Sequence, residues 1–399
     1  MSRVLVESGI EWIGKYPAEW NLSPLRGIVD NINEKNNPIK FTNVLSLTNK
    51  LGVVPYEEKG DLGNISKEDI SQYKIAYKDT VIINSMNLKI GSVGYSNYDG
   101  CVSPVYYVLK NNEKSDISFI NYIFQSNFQK YLGKYGKGIL EIREKISMYD
   151  ILHSYIPVPS LIEQKRIASY LDKICTKIDE ITSDNNREIE LLEEYKNNII
   201  LDKVCHGLDY SEFKIINIDS IDKIPVTWGL TRLKYYISIF NGKDCNKNSD
   251  SSKIPVYGSG GVFSYTDDYL YDGESLLLGR KGTIDKPIIV NGKFWTVDTM
   301  FYSIPKRECN LKYIYYFMKT LNWDKYIFGT ALPSMTQSIL NEIKIPFLSL
   351  DEQNKIVDYL DKQCAKLDCV IDCRKRIIEK LEEYKRSLIY ECVTGKREV

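Results

Sequence analysis

Short polar segments in two dissimilar stretches of the chain carry side chains that can form paired hydrogen bonds. In the DNA major groove Asn and Gln pair with adenine, Arg and Lys pair with guanine, and Lys also contacts phosphates without reading sequence. The candidate residues are Thr48, Asn49, Lys50, Asn84, Asn87, Lys89, Arg280 and Lys281. Residue type alone leaves a second interpretation open, in which these segments are ordinary solvated loops.

A run of charged and aromatic residues, Leu-Glu-Glu-Tyr-Lys, occurs twice and could form a docking surface. Its polar members are Glu193, Glu194, Tyr195, Lys196, Glu382, Glu383, Tyr384 and Lys385. A charged helix face needs no partner, because water solvates it well. The repetition of the same run favours instead a surface that is presented to two equivalent protein partners.

These runs belong to a long internal repeat. Residues 156–204 and 345–393 are identical at 24 of 49 positions, at a fixed offset of 189 and without a gap. A weaker echo upstream places Pro17–Trp20 in correspondence with Pro225–Trp228. Two copies are too few for a solenoid. A pair of copies predicts a pseudo-twofold protein with two similar surfaces.

Each copy predicts one long helix. Ser160 and Ser349 stand three residues before Glu163 and Glu352, which is the spacing of a capping box with reciprocal side-chain hydrogen bonds. Neither Gly nor Pro follows until the glycines at 207 and 395, which predict the helix ends. Helices of this length, about 65 Å, exceed what one globular domain needs.

Apolar residues repeat along both helices at coiled-coil spacing, which predicts that the helices pair with each other, plausibly antiparallel. The predicted seam comprises Ile167, Leu171, Ile174, Ile178, Ile181, Ile189, Leu192, Tyr195 and Ile199, and in the second copy Ile356, Leu360, Leu367, Val370, Ile378, Leu381, Tyr384 and Leu388. The weakly helical segment Ser183–Asn186 favours a bend in the first helix.

The stretches between the helices read as short strands and helices joined by turns. The predicted strands are Thr80–Asn84, Val105–Leu109, Ser275–Leu278 and Met300–Ile304, and the predicted helices are Ile117–Lys134 and Leu311–Trp323. The two stretches share this skeleton although their loops differ. A conserved scaffold with divergent loops is typical of two readers of different ligands.

Composition narrows the class of protein. Hydrophobic residues make up 43% of the chain, enough for globular cores, and the formal net charge is zero. The nine Cys residues form no Cys-x-x-Cys pair, which is typical of reduced thiols in a cytoplasmic protein. Cys369 and Cys373 lie one helical turn apart without a nearby His, so we expect no metal site. No apolar run approaches the ~18 residues of a membrane span.

The sequence contains none of the catalytic motifs for which we searched, including the Walker phosphate loop and His-Glu-x-x-His. The Gly-rich run 257–261 lacks a following Lys-Ser or Lys-Thr, so a tight turn is the better interpretation. We therefore expect a protein without catalysis of its own. The alternatives are a solitary methyltransferase or nuclease with an unrecognised motif, a coiled-coil scaffold, and a stand-alone DNA-binding regulator.

Several motifs together carry a family resemblance over nearly the whole chain. They are Ile-Pro…Ser-Leu-x-Glu-Gln at 156–164 and 345–353, Pro-x-x-Trp at 17–20 and 225–228, and Leu-Gly-Arg-Lys-Gly-Thr at 278–283 followed by Trp-Thr-Val-Asp-Thr at 295–299. With these motifs the chain resembles the specificity (S) subunits of type I restriction–modification systems. The first stretch departs from the last pattern and reads Asn84-Ser85-Met86-Asn87 instead.

The resemblance implies an α+β fold with two tandem target recognition domains and two long antiparallel coiled-coil helices. Its segments would be a first recognition domain over 1–155, spacer helices over 156–207 and 345–399, and a second recognition domain over 208–344. Each recognition domain would read one half of a bipartite double-stranded DNA target. The helices would set the gap and dock two modification (M) subunits.

The resemblance also implies that this chain binds no cofactor. In such systems the M subunits bind S-adenosylmethionine and methylate adenine, and the restriction (R) subunits use ATP and Mg²⁺.

Overall fold

The computed structural model describes residues 3–48, 52–59, 69–88, 91–136, 145–218, 221–245, 253–326 and 334–399. The chain forms two compact units. Unit 1 comprises Met1–Asp184 together with Arg376–Val399, and unit 2 comprises Asn185–Lys375. Each unit therefore contains one globular stretch and one half of each long helix.

Unit 1 is built on an antiparallel four-stranded sheet. Its described strands are β1 (Leu5–Glu7), β2 (Lys15–Pro17), β3 (Asn21–Pro24), β4 (Val29–Ile32), β5 (Leu45–Thr48), β6 (Gly52–Pro55), β7 (Lys74–Ala76), β8 (Thr80–Asn84), β9 (Val93–Ser96), β10 (Gly100–Val102), β11 (Tyr106–Asn111) and β12 (Tyr155–Val158). The sheet has the order β4-β11-β8-β9. The remaining strands pair as β1–β2, β3–β12, β5–β6 and β7–β10.

Unit 2 repeats this architecture. Its described strands are β13 (Phe213–Ile218), β14 (Ile221–Pro225), β15 (Gly229–Arg232), β16 (Ile237–Asn241), β17 (Ile254–Gly258), β18 (Gly261–Thr266), β19 (Tyr271–Asp272), β20 (Ser275–Gly279), β21 (Ile288–Val290), β22 (Lys293–Thr296), β23 (Met300–Pro305) and β24 (Lys344–Phe347). The sheet β16-β23-β20-β21 has the same order as its counterpart in unit 1, and a second sheet, β18-β17-β22-β19, lies in the same unit. The predicted internal repeat is thus confirmed in the strand order.

The described helices are α1 (Ile117–Gln125), α2 (Phe128–Leu132), α3 (Met148–His153), α4 (Leu161–His206), α5 (Leu311–Lys319), α6 (Gln337–Glu342) and α7 (Leu350–Val393). The single helix predicted over 117–134 is wrong, because Ser126 Oγ donates to the carbonyl of Ile123 and ends α1. Thr320 likewise donates to Phe317 and ends α5 before the predicted limit.

The two long helices have the predicted extents. Helix α4 is continuous through Ser183–Asn186, where the sequence favoured a bend. Gly207 and Gly395 follow the two helices with φ of 76° and 71°, a conformation that glycine adopts without strain.

In each unit the core joins the globular stretch to the long-helix halves. In unit 1, Phe119 and Phe124 of α1 share one buried cluster with Leu171 of α4 and Leu388 of α7. In unit 2, Phe317 of α5 shares the equivalent cluster with residues of both helices, such as Val204 and Leu360. Burial of this apolar surface is the main force that holds each globular stretch to its helices.

The helix halves in each unit run antiparallel. In unit 2, Glu188 pairs with Arg374 and Lys196 pairs with Asp368, so the second partner moves backwards as the first advances. In unit 1, Asp179 pairs with Lys385 at 2.6 Å. Asp179 and Asp368 are equivalent positions of the repeat, and so are Lys196 and Lys385. The same ion pair is therefore made twice.

The predicted seam is only partly correct. Ile167, Leu171 and Ile178 are buried, but Cys175 is buried between them and Ile181 is exposed. The buried positions step by four, four and three, which follows the 3.6-residue period of a straight helix more closely than a strict heptad does. In the second copy Cys364 is buried in the same way. The assignments of Val370, Tyr195 and Tyr384 to the seam are wrong, because these side chains are exposed.

The repeated Glu of the helix entry anchors a tryptophan. Ser160 and Ser349 accept hydrogen bonds from the backbone N–H groups of Glu163 and Glu352 at 3.3 Å, as the capping box predicts. The Glu side chains do not complete the box. They accept instead from the indole N–H groups of Trp20, at 3.1 Å, and Trp228, at 2.9 Å. The paired motifs thus fasten the start of each globular stretch to its helix.

The repeated Gln of the same motif makes a second anchor. Gln164 is fully buried, and its Oε1 accepts from the backbone N–H of Asp116, the residue that caps α1, at 2.9 Å. Gln353 accepts in the same way from Asn310, which caps α5. A buried amide with its partners in place ties two helix starts together, and its loss would leave polar groups unsatisfied.

Candidate nucleic-acid interface

In unit 2 the candidate residues lie on a loop that follows β20, here called the Arg280 loop (residues 280–283). The Arg280 backbone N–H donates to the carbonyl of Thr299 at 2.8 Å, and its carbonyl accepts from Met335 at 2.9 Å. The half-exposed guanidinium donates to the carbonyl of Asp298 at 3.3 Å and lies over the ring of Phe301. The loop backbone is therefore fixed, whereas the side chain reaches the surface.

Lys281 and the Gly-rich turn lie at the same surface. Lys281 Nζ is 3.4 Å from Oδ2 of Asp298, and both side chains are partly exposed. The Gly-rich run forms the turn between β17 and β18, as predicted. A methyl group placed on Gly282 would lie 3.1 Å from Oγ of Ser259 in that turn. Two surface segments, distant in sequence, are thus in contact.

Sequence reasoning missed two charged residues in and beside the segment 295–299. The exposed Lys243 is held by its backbone, whose carbonyl accepts from Trp295 Nε1 at 2.7 Å and whose N–H donates to Thr296. Asp298 precedes β23 and contacts both basic residues of the Arg280 loop. Asp298 lies in the Trp-Thr-Val-Asp-Thr motif, so its position could have been inferred, but no sequence signal indicates Lys243.

In unit 1 the candidate residues are less open. Asn84 ends β8, is 5% exposed, and its Oδ1 accepts from the backbone N–H of Met86 at 3.1 Å. Thr48 is buried at the end of β5, and its hydroxyl donates to Gly52 at 3.4 Å. Asn87 is partly exposed. Asn49, Lys50 and Lys89 lie outside the described residues.

A pair of lysines that sequence reasoning missed lies near the Asn84 loop. Lys74 donates to the carbonyl of Tyr106 at 2.8 Å, and Tyr106 is the strand partner of Asn84. Ile146, the residue after the exposed Lys145, donates to the carbonyl of Ser85. Burial and the nearby Lys145 both lower the pKa of Lys74. Two ammonium groups that repel each other would be stabilised by an anion such as a phosphate.

In each repeated Leu-Glu-Glu-Tyr-Lys run the Lys pairs with the other long helix, whereas the Glu and Tyr residues are exposed. Lys196 and Lys385 are used in the helix pairing described above. The Glu residues and the tyrosines are exposed, Tyr195 by 57% and Tyr384 by 46%. Glu383 also pairs with Lys380 on its own helix at 2.8 Å. The members of the runs that remain exposed are therefore Glu193, Glu194 and Tyr195 in unit 2, and Glu382, Glu383 and Tyr384 in unit 1.

Other chemical groups give no further site within the described part of the chain. Among these residues no group of three His, Cys, Asp or Glu could hold a metal ion. Cys369 and Cys373 are exposed, whereas burial raises the pKa of Cys205 to about 12 and keeps it a thiol. No helix in the described ranges is both long and apolar enough to cross a membrane.

Comparison with known proteins identifies the class. The family model described as the type I restriction modification DNA specificity domain matches twice, at residues 17–191 and 225–383. These matches span most of the chain and coincide with the two repeats. The chain therefore belongs to this family and is a specificity subunit, the non-catalytic component of a type I restriction–modification system.

Two relatives have names that agree with this assignment. A relative from Methanocaldococcus jannaschii, provisionally named the type I restriction enzyme MjaX specificity subunit, is 23% identical over 96% of this chain and 95% of its own. The MjaVIII specificity subunit of the same organism is 26% identical over 72% and 73%.

Two solved structures share the fold at 14% identity. A chain from a study of complex assembly and conformational transition of the type I R-M system has a TM-score of 0.75, with 96% of this chain and 99% of that chain covered. The HsdS subunit of Thermoanaerobacter tengcongensis has a TM-score of 0.52, with 98% and 100% covered.

Proposed function

We propose that each unit reads one half of a bipartite DNA target. The proposal rests on the loop that follows β8 in unit 1 and β20 in unit 2. These strands have equivalent places in the four-stranded sheets of the two units. The loop that begins at Asn84 has this position in unit 1 and the Arg280 loop has it in unit 2, on sheets of identical strand order. The same scaffold with different polar residues at the same position suits two readers with different base preferences.

Particular residues have particular roles in this proposal. Arg280 pairs with a guanine, and Asn87 is better placed than the buried Asn84 to contact a base in the first half-site. Lys281, Lys243, Lys74 and Lys145 contact phosphates. Asn49, Lys50 and Lys89 remain candidates by residue type, and Thr48 has a role in shaping its hairpin.

The helices have two roles in the proposal. Because α4 and α7 each contribute to both units, their length fixes the gap between the half-sites. Their exposed Glu and Tyr residues dock two M subunits, one for each copy of the repeat. The M subunits bind S-adenosylmethionine, R subunits supply ATP- and Mg²⁺-dependent cleavage, and this chain binds no cofactor itself.

Co-expression with the M subunit of the same system tests these roles together. Native mass spectrometry should give two M subunits per chain, and the complex should methylate one bipartite motif. A complex that stays at one-to-one with M subunit in excess would contradict the docking role. Equal binding to target and scrambled duplexes by the complete complex would contradict the reading role.

A further inference from the structure

Phe263 is an aromatic side chain left exposed, by 63%, on the edge strand β18, next to Val262, which is 44% exposed. In a regular strand, consecutive side chains point to opposite faces. The strand register of β18 breaks this alternation at Phe263. Val256 pairs with Ser264 and Tyr257 pairs with Val262, so Phe263 has no opposite residue and forms a β-bulge. A bulge redirects a side chain out of the strand pattern.

The redirected ring lies beside the Arg280 loop. A methyl group placed on Gly258 would lie 3.3 Å from the Phe263 ring and 3.6 Å from Oγ1 of Thr299. Thr299 in turn accepts the backbone hydrogen bond from Arg280. The ring, the Gly-rich turn and the basic loop therefore form one continuous surface in unit 2.

We propose that Phe263 reads the 5-methyl group of a thymine in the half-site of unit 2. This inference rests on the proposed reading role of that unit. The proposed pair between Arg280 and guanine would lie in the major groove. In that groove the thymine methyl is the apolar group that a ring without polar atoms can recognise. An apolar ring on an exposed edge strand is otherwise a liability for aggregation, which contact with DNA would remove.

The test uses the assembled complex of the full chain with its M subunits. Each thymine of this half-site is replaced in turn by uracil, which lacks only the methyl group, and affinity is measured by competition. The wild-type complex should lose about fourfold at one position, which equals ~0.8 kcal/mol for one buried carbon. Phe263→Ala should bind the thymine and uracil duplexes equally.

Tyr235→Ala is the matched control, since Tyr235 is 53% exposed and lies in the three-residue turn Leu233–Tyr235. This variant should keep the wild-type response to uracil. The inference is overturned by an equal response in Phe263→Ala, by no response at any thymine, or by a Phe263→Ala variant that loses M subunits while its DNA preference is unchanged. A wild-type complex that fails to distinguish target from scrambled DNA would instead refute the reading role of the unit.

Discussion

Arg280 combines a fixed backbone with a side chain at the surface. Its N–H and carbonyl are held by Thr299 and Met335, so removal of the side chain leaves both backbone hydrogen bonds in place. The guanidinium makes one hydrogen bond, to the carbonyl of Asp298. A substitution here should therefore change recognition without unfolding the unit.

Arg280→Ala is expected to weaken specific DNA binding by about five- to 150-fold, or ~1–3 kcal/mol, because a bidentate contact to guanine is lost. The loss should be confined to one base pair, which competition with singly substituted duplexes measures. Lys319→Ala, which removes a charge from the exposed end of α5, serves as control. Unchanged affinity and unchanged base preference would remove Arg280 from the interface.

Glu163 and Glu352, the two residues that anchor the tryptophans, differ in the charged groups around them. Glu163 forms ion pairs with Arg3 and, at 3.6 Å, with Arg166. Glu352 contacts Tyr210 and Trp228 instead, and burial raises its pKa above the usual carboxyl value. A carboxyl whose pKa is raised on folding binds its proton more tightly in the folded chain. The free energy of unfolding therefore falls as the pH rises through the range just above that usual value.

Glu163→Gln and Glu352→Gln should accordingly change the melting temperature in opposite directions. Glu163→Gln loses a charge-assisted contact and should lower the melting temperature of unit 1 by about 4 °C. Glu352→Gln keeps an acceptor for the indole and removes the cost of a buried charge. Its melting temperature relative to wild type should rise as the pH increases through the range just above the usual carboxyl pKa, where folding raises the pKa of Glu352. Equal destabilisation by both variants at neutral pH would refute this difference.

At the scale of the helix, substitution of the exposed tyrosines of the repeated run can distinguish an effect on M subunit binding from an effect on stability. Tyr195→Ala and Tyr384→Ala should change stability by less than about 0.5 kcal/mol, as exposed substitutions do. Each should weaken the binding of one M subunit, which native mass spectrometry across a titration measures. Val370→Ala, equally exposed on α7, should bind two M subunits as wild type does. The docking role would be contradicted if Tyr195→Ala and Tyr384→Ala both bind two M subunits as wild type does.

Local signals predicted the limits of the two long helices, because capping serines and terminal glycines act within a few residues of the chain. The strands β8, β11, β20 and β23 were predicted to within two residues at each end, because short apolar runs near Gly, Asp or Asn are also local signals. The buried stripe was harder to predict, since the exposure of positions such as Ile181 and Val370 depends on packing partners distant in sequence. The true partner of Glu163 was likewise hidden, because Trp20 lies 143 residues away.

Candidate site residues were predicted by type rather than by environment. Asn84 and Asn87 are indistinguishable in sequence, yet a local turn buries the first and leaves the second partly open. Phe263 was missed because a bulge, which no local pattern announced, redirects it. Exposure and grouping of side chains depend on tertiary contacts. A sequence motif indicated the Arg280 loop, whereas the exposure of the other candidates could not be inferred from the sequence.

At the scale of the whole molecule, helix length should set the gap in the target. Asn185 is buried and accepts from Arg374 at 3.1 Å, so an insertion in α4 alone would disturb this contact. Four residues should therefore be added to both helices, after Asp184 and after Cys373. The helices lengthen by about 6 Å, which is close to two base pairs at ~3.4 Å each.

Methylome sequencing should show both half-sites unchanged and a wider gap. As a control, four alanine substitutions at exposed helix positions should leave the gap as it was. A folded, M-binding insertion variant that methylates the original spacing would show that the helices do not set the gap.

The most direct test of the account is exchange of one globular stretch. Residues 229–344 are replaced by the equivalent stretch of a relative with a different target, with Trp228, Glu352 and Gln353 kept as anchors. Methylated adenines are then mapped by sequencing in cells that express the exchanged chain and the M subunit. If each unit reads one half-site, one half of the bipartite motif should change to the donor's, while the other half stays as it was. Changes in both halves, or in neither, would contradict it.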